Sequence, residues 1–173
     1  MSEEKEQDGG SAPGPQGGRP MMPADYGIKE PKSGSGLRSW SETTGKIAAA
    51  HNYWIGTTRP DGRPHAMPVW GLWLNESFFF STGRRSRKAL NLAHAPYLVV
   101  HLESGDDVVI LEGTAREVTD QALLAEFVEA YDKKYSFRPD PKDANNAYYT
   151  LDLRVAFAWL ESDFVGGATR WQF

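Results

Sequence analysis

The chain has 173 residues, of which 40% are hydrophobic and 24% charged, and its formal net charge is −4. This length suits one domain with a sizeable core, and the mildly acidic balance argues against broad binding of nucleic acid or anionic membrane, which needs a basic surface. The lack of cysteine excludes disulfides, thiolate metal sites and cysteine nucleophiles, and no apolar run is long enough to predict a membrane span.

The N-terminal segment differs in composition from the rest of the chain. Residues 1–36 hold eight of the 17 glycines and five of the 11 prolines, with few hydrophobic residues. Such a segment buries too little apolar surface to offset its ordering entropy, so we predict a flexible tail over 1–36 and a folded domain over 37–173. The first residues are acidic, whereas a signal peptide begins with basic residues and an apolar stretch, so we expect a cytoplasmic protein.

The first half of the folded part is predicted to be mostly strand. A short helix over 41–50, with Ser41 as its cap, precedes β-branched and aromatic runs that predict strands over 53–59, 64–74 and 77–82. Residues 60–62 form a tight turn between the first two strands. Pro68 places the middle of the second strand at an edge or a bulge, because proline cannot donate to a strand ladder.

The second half contains the clearest helix. A helix over 86–94 leads to a predicted hairpin of strands over 96–103 and 108–118. Thr119 would cap the next helix, whose apolar face comprises Leu124, Phe127, Val128, Tyr131 and Tyr135. A loop, an alternating strand, a glycine turn and a short last strand complete the chain, over 136–146, 147–161, 166–167 and 168–173.

This order of elements indicates a mainly β protein. Six or seven strands joined by short turns, with about three helices, predict an antiparallel barrel or sandwich with helices at its ends. No G-x-G-x-x-G follows the first strand and the P-loop spacing is absent, so neither type of nucleotide site is expected.

The stretch "STGRRSRKALNL" (81–92) concentrates positive charge where a strand becomes a helix. It holds four cations, Arg84, Arg85, Arg87 and Lys88. A helix that begins near Arg85 or Ser86 would point its positive end at the strand's terminal hydroxyls, and guanidinium groups bind phosphate bidentately. The stretch therefore predicts a phosphate pocket, and the alternative is a solvated basic helix face that binds nothing.

Several stretches in the same order resemble one superfamily. "TTRPDGRPHAMPVWG", "STGRRSRKALNL", "VVHLESGDDVVILEGTA" and "ATRW" are similar to the flavin and deazaflavin oxidoreductases around pyridoxamine 5′-phosphate oxidase, and closest to the branch that uses coenzyme F420. The resemblance implies a split β-barrel of antiparallel Greek-key type with peripheral helices. It also implies a homodimer whose cofactor sites draw residues from both chains.

The resemblance implies a division of the site between phosphate and ring. The cofactor phosphate would lie on Ser86, Arg87 and Lys88, with help from Thr82. The flavin-like ring would lie against the strand of Met67, Pro68, Val69 and Trp70. Arg170 and Trp171 would belong to the partner's half of the site.

Reasoning from the residues alone adds candidates and leaves alternatives. Pro68 would leave neighbouring backbone groups available to the polar edge of a ring, and Trp70 offers a flat wall or belongs to the core. His65 lies beside this strand and would bond substrate or cofactor, or serve a structural role. If the cofactor is F420, as the resemblance implies, Arg85 and Arg84 would supply a basic groove for its polyglutamyl tail. The four histidines show no metal-ligand spacing, and no nucleophile–base pair stands out, so we assign no metal site and no catalytic residue.

The functional prediction is a cofactor-dependent oxidoreductase that transfers hydride between F420 and a small conjugated substrate. The first alternative is an FMN-binding oxidase or reductase on the same fold. The second is a non-catalytic protein that binds a cofactor or a polyanion. We expect no nucleic-acid or membrane partner. Pyridoxamine phosphate oxidase activity is not expected, because the chain ends in "GATRWQF" without a longer basic segment.

Overall fold

A computed structural model describes residues 14–28 and 36–173. In these residues nine strands are present: β1 (Gly17–Gly18), β2 (Tyr53–Thr58), β3 (Pro64–Val69), β4 (Gly71–Leu74), β5 (Ser77–Gly83), β6 (Tyr97–His101), β7 (Asp107–Glu117), β8 (Asn146–Leu160) and β9 (Thr169–Gln172). The helices are α1 (Trp40–Ala49), α2 (Arg87–His94), α3 (Gln121–Tyr135) and the short α4 (Phe164–Gly167), with 3-10 turns at Ala24–Tyr26 and Glu161–Asp163. None of the described helices is long and apolar enough to cross a bilayer.

The strands form one antiparallel sheet that curls without closing. Its order is β1-β9-β8-β7-β6-β2-β3, and β8 also pairs with β5, which pairs with β4. β3 and β4 follow each other across Trp70 instead of pairing, so the ladder is interrupted there. This arrangement is a split β-barrel with peripheral helices and confirms the predicted fold class.

Alternate side chains of the strands fill the barrel. Tyr53, Ile55, Phe78, Phe80 and Leu111 are each at most 1% exposed and belong to the main core. A second core lies where α3 covers Leu72, Phe79 and Tyr148. All five residues predicted for the apolar face of α3 are buried, because the 3.6-residue period puts them on one side of the helix.

The helix caps correct two of the predictions. Ser39, not Ser41, caps α1, since its Oγ accepts from the backbone N–H of Glu42. Asp120, not Thr119, caps α3, with its carboxylate 2.8 Å from the backbone N of Leu123. In both helices the capping oxygen lies three residues before the N–H that it satisfies. The predicted strand over 64–74 is also two strands, because the ladder is interrupted at Trp70 and the two parts pair with different neighbours.

Part of the segment predicted to be a flexible tail lies against the last strand. Gly17 and Gly18 pair with Trp171 and Arg170, and the Arg19 guanidinium donates to the Ala168 carbonyl at 3.1 Å. A Cβ on Gly17 would lie 2.9 Å from Trp171 Nε1, so only glycine lets the backbone approach the indole this closely. Residues 1–13 and 29–35 of that predicted tail lie outside the described residues.

Candidate cofactor site

The start of α2 is built as the sequence predicts. After β5 ends at Gly83, the Ser86 N–H donates to the Gly83 carbonyl at 2.9 Å, and extended backbone at Ser86 leads into the helix. Ser86 Oγ accepts from the Ala89 N–H at 3.2 Å and lies 3.1 Å from Thr82 Oγ1. The first-turn N–H groups and the positive end of the helix dipole therefore lie beside hydroxyl groups at the end of a strand.

The four cations of this segment have different surroundings. Arg85 and Arg87 are exposed, whereas Lys88 is half-buried, and this burial lowers the pKa of its ammonium group. Arg84 lies 2.5 Å from a Glu117 carboxylate oxygen and donates to the Ala144 carbonyl at 3.1 Å. Arg84 is therefore paired with an acid, and the positive field at the start of α2 comes from Arg85, Arg87 and Lys88.

The β2–β3 hairpin brings His65 to the same place. His65 lies opposite Thr57 in the ladder, and its Nδ1 is 3.5 Å from Thr57 Oγ1, which accepts from Asn91 Nδ2 of α2 at 2.9 Å. Burial and the positive charges of Arg59, Lys88 and Arg87 lower the pKa of His65. We call Arg59, Arg87 and Lys88, the three residues whose charges act on His65, the cationic cluster.

The predicted ring strand, β3, has an open edge. It is the last strand in the sheet order, so among the described strands it pairs only with β2. Met67 and Pro68 are exposed, while the Val69 side chain is buried in the core. Trp70 is 42% exposed and stacks on Tyr135 with ring centroids 4.8 Å apart. β3 therefore offers unpaired backbone groups and apolar side chains, and Val69 can contribute only its backbone.

A groove of about 680 Å³ adjoins the hairpin and the outer face of the sheet. Thr57 and His65 line it, which connects it to the cationic cluster. The rest of its lining comes from β2, β3, β6, β7 and β8, including Ala66, Tyr97, Val99, Glu112 and Thr114. This volume is within the usual range for a cofactor or small-molecule site.

A scan against protein families matches residues 42–159 to pyridoxamine 5′-phosphate oxidase. This match covers more than half of the chain and includes the whole hairpin, the cationic cluster and the groove. The chain belongs to the pyridoxamine 5′-phosphate oxidase family. The superfamily resemblance drawn from the sequence is thereby confirmed.

Solved structures share the fold of this family member at low sequence identity. A conserved hypothetical protein from Mycobacterium tuberculosis is 21% identical with a TM-score of 0.63, over 71% of this chain and 85% of that one. An F420 reductase is 18% identical with a TM-score of 0.52, over 64% and 93%. A haem storage protein from Vibrio cholerae is 14% identical with a TM-score of 0.56, over 68% and 91%. A search of the curated proteins returned no match.

The structure brings together most of the predicted site residues of this family member. His65, Thr82, Ser86, Arg87 and Lys88 gather at the start of α2, with Arg85 exposed beside them, and Met67, Pro68 and Trp70 continue along β3. Arg170 and Trp171 lie on β9, which β8, β7 and β6 separate from the hairpin in the sheet order. Trp171 is 1% exposed in its own chain, against Trp40. Their role toward a partner's cofactor stays a prediction.

Sequence reasoning missed Arg59, Thr57 and Asn91. Arg59 belongs to a stretch that carried the resemblance, but nothing in the sequence shows that its charge acts on His65. Asn91 follows Arg87 by one helical turn and is a polar residue among the buried positions of α2, which was the available signal. Among the residues that the structure describes, no group of three or more His, Asp or Glu side chains could hold a metal ion.

Proposed function

We propose that this protein is an oxidoreductase that binds a phosphate-bearing deazaflavin, coenzyme F420, and transfers hydride between it and a small conjugated substrate. The alternative is FMN in the same site. The observation that supports this most strongly is the cationic cluster at the start of α2, next to an open edge strand and a groove of about 680 Å³.

The phosphate end of the coenzyme is assigned to α2. The Ser86 hydroxyl, already within 3.1 Å of Thr82 Oγ1, and the first-turn N–H groups offer donors. Arg87 adds a guanidinium fork, and the half-buried Lys88 adds a charge that is poorly solvated without a partner. Exposed Arg85 would bind an acidic tail that extends beyond the phosphate.

The ring end is assigned to β3. Its open edge offers backbone donors and acceptors to the polar side of a pyrimidine-like ring, and Met67, Pro68 and Trp70 provide apolar surface. The bound coenzyme would supply the hydride chemistry. The protein would orient the coenzyme and shield part of its ring from water. This division of labour agrees with a sequence that has no evident nucleophile–base pair.

We further propose that two copies of the chain form the complete site. Tyr97 is 72% exposed and Val99 37%, and both line the groove. A second copy packed on this face would bury these side chains and cover the cofactor, as is general in the family that the sequence resembles. Arg170 would then act from the partner's side.

Titration of the purified full-length protein with F420 and with FMN tests the proposal. We expect saturable binding of F420, followed by oxidation of reduced F420 when small conjugated acceptors are added. Saturable binding of FMN alone would favour the alternative cofactor, and tight binding without any turnover would favour a non-catalytic binding protein. If neither coenzyme binds, the proposed function is wrong.

A further inference from the structure

A chain of polar contacts, buried where Asn91 meets Thr57, links the His65 ring to α2. Asn91 is 0% and Thr57 4% exposed, and Asn91 Nδ2 lies 2.9 Å from Thr57 Oγ1. Thr57 Oγ1 in turn lies 3.5 Å from His65 Nδ1 and 3.4 Å from the His65 carbonyl oxygen. Helix α2, strand β2 and edge strand β3 are thereby connected through the side chains of Asn91, Thr57 and His65.

The direction of this chain follows from the Asn91 amide. Asn91 Oδ1 is buried and has no donor within the described residues. Turning the amide over would put the NH₂ group there and leave two hydrogens without an acceptor, which is the less favourable arrangement. Asn91 therefore donates to Thr57, and the hydroxyl keeps its one hydrogen, which it donates either to the His65 carbonyl oxygen or to Nδ1 of the ring.

The charges acting on His65 come from two elements and have the same sign. Asn91 follows Arg87 by four residues and Lys88 by three, so all three share one side of α2. Arg87 and Lys88 act on the ring from the helix, and Arg59 acts from the hairpin. Asp61, the acid of the hairpin turn, is paired with Arg63 at 2.7 Å.

We propose that His65 is the proton-linked group of the anion site: it is uncharged when no anion is bound and takes up a proton when a phosphoryl group binds between it and the start of α2. This inference rests on the phosphate assignment of the proposed function. The three cations disfavour a fourth positive charge, and a bound anion offsets them. Thr57 and Asn91 are positioning residues that keep the ring in this field.

The linkage has a definite sign. Burial and the neighbouring cations hold the pKa of His65 below its ordinary value in the ligand-free protein, and a bound anion raises that pKa. The complex then binds more protons than the separate components, so affinity for the anion rises as the pH falls through this window. Each unit between the two pKa values corresponds to about a tenfold gain in affinity.

The direct test follows the four imidazole resonances of the full-length protein by NMR across a pH titration, without ligand and with saturating sulfate. Sulfate is the probe because it keeps its charge throughout. We expect the His65 midpoint to rise by about one pH unit or more, while His51, His94 and His101 serve as internal controls and stay within a few tenths. An unchanged His65 midpoint, while the backbone amides of Arg87 and Lys88 respond to sulfate, would overturn this inference alone. If those amides do not respond, the phosphate assignment is wrong as well.

Two variants separate positioning from folding. Thr57→Val keeps the side-chain shape and removes the hydroxyl, and we expect it to reduce the sulfate-induced rise of the His65 midpoint at least by half. Thr57→Ser should restore it, since the hydroxyl returns. A full rise in Thr57→Val, with a native circular dichroism spectrum, would show that the buried chain of contacts does not position His65.

Discussion

Lys88 differs from the neighbouring cations Arg84, Arg85 and Arg87 because its side chain is half-buried. Burial lowers the pKa of its ammonium group, so its charge is held at a cost that a bound anion would relieve. Arg87, one residue earlier, is exposed and keeps its charge without such a penalty. The two residues would therefore contribute to phosphate binding in different ways, through a desolvated charge and through a guanidinium fork.

Removing either charge should weaken coenzyme binding. Each of Arg87→Ala and Lys88→Ala deletes a charge-assisted contact worth roughly 1.5–3 kcal/mol, which corresponds to about ten- to a hundredfold in affinity. Fluorescence titration with the coenzyme measures the change. Lys133→Ala, which removes an exposed cation from α3, is the matched control and should bind like the parent. Parent-like affinity in both test variants would contradict the phosphate assignment.

Sequence could identify these charges but not their partners. The composition of 84–88 predicted a basic helix start near Arg85 or Ser86, and the structure has Ser86 as the cap of α2. The Arg84–Glu117 pair joins residues 33 positions apart, and the action of Arg59 on His65 depends on how the hairpin packs against α2. Such contacts are set by tertiary structure, which a single sequence does not display.

Among the secondary-structure elements, the C-terminal end of α3 supports Trp70, a residue of the candidate ring site. Tyr135 Oη accepts from the Gly71 N–H at 3.0 Å and lies 2.8 Å from the His51 carbonyl, while its ring stacks on Trp70. Lys134 Nζ lies 2.8 Å from Tyr53 Oη, and burial lowers the pKa of Lys134 to about 8. The last turn of α3 therefore fixes the point where β3 passes into β4.

Tyr135→Phe should test this support. The change leaves the buried Gly71 N–H without its acceptor, so we expect a loss of about 1–3 kcal/mol in the free energy of unfolding. Urea denaturation measures the loss, and near-ultraviolet circular dichroism reports the packing of Trp70. Tyr26→Phe is the control, since Tyr26 is 53% exposed and should change stability by less than about 0.5 kcal/mol. Equal stability of the two variants would show that the hydroxyl does not anchor the helix.

The spacing of hydrophobic residues predicted the type of each element better than it predicted where the element begins and ends. The alternation along β8 and the apolar face of α3 fix the type of each element, and Pro68 correctly indicated that β3 lies at an edge. β1 carried no signal, because two glycines have no side chains from which a pattern could arise. The predicted helix caps were wrong by one or two positions, because each helix start contains more than one residue of a capping type.

For the whole molecule, the dimer that we propose would form through the exposed face of the groove. Tyr97→Asp puts a carboxylate on the surface that we assign to the dimer interface, and burying it would cost more than the apolar contact gains. We expect sedimentation velocity to show a shift from two copies to one, with weaker coenzyme binding. Val165→Asp on α4, where Val165 is 49% exposed, controls for added charge and should leave the dimer intact. A monomeric parent protein would contradict the proposed assembly.

Strand β8 joins both halves of the barrel. Tyr149 and Thr150 pair with β5 on one side and β7 on the other, and the stretch from Val155 to Ala158 pairs with β7 and β9. Neither half can therefore open while the other stays intact, and the domain should unfold as one cooperative unit. We expect the backbone amides of Thr150 and Ala156 to be among the slowest to exchange with deuterium, at rates set by global unfolding.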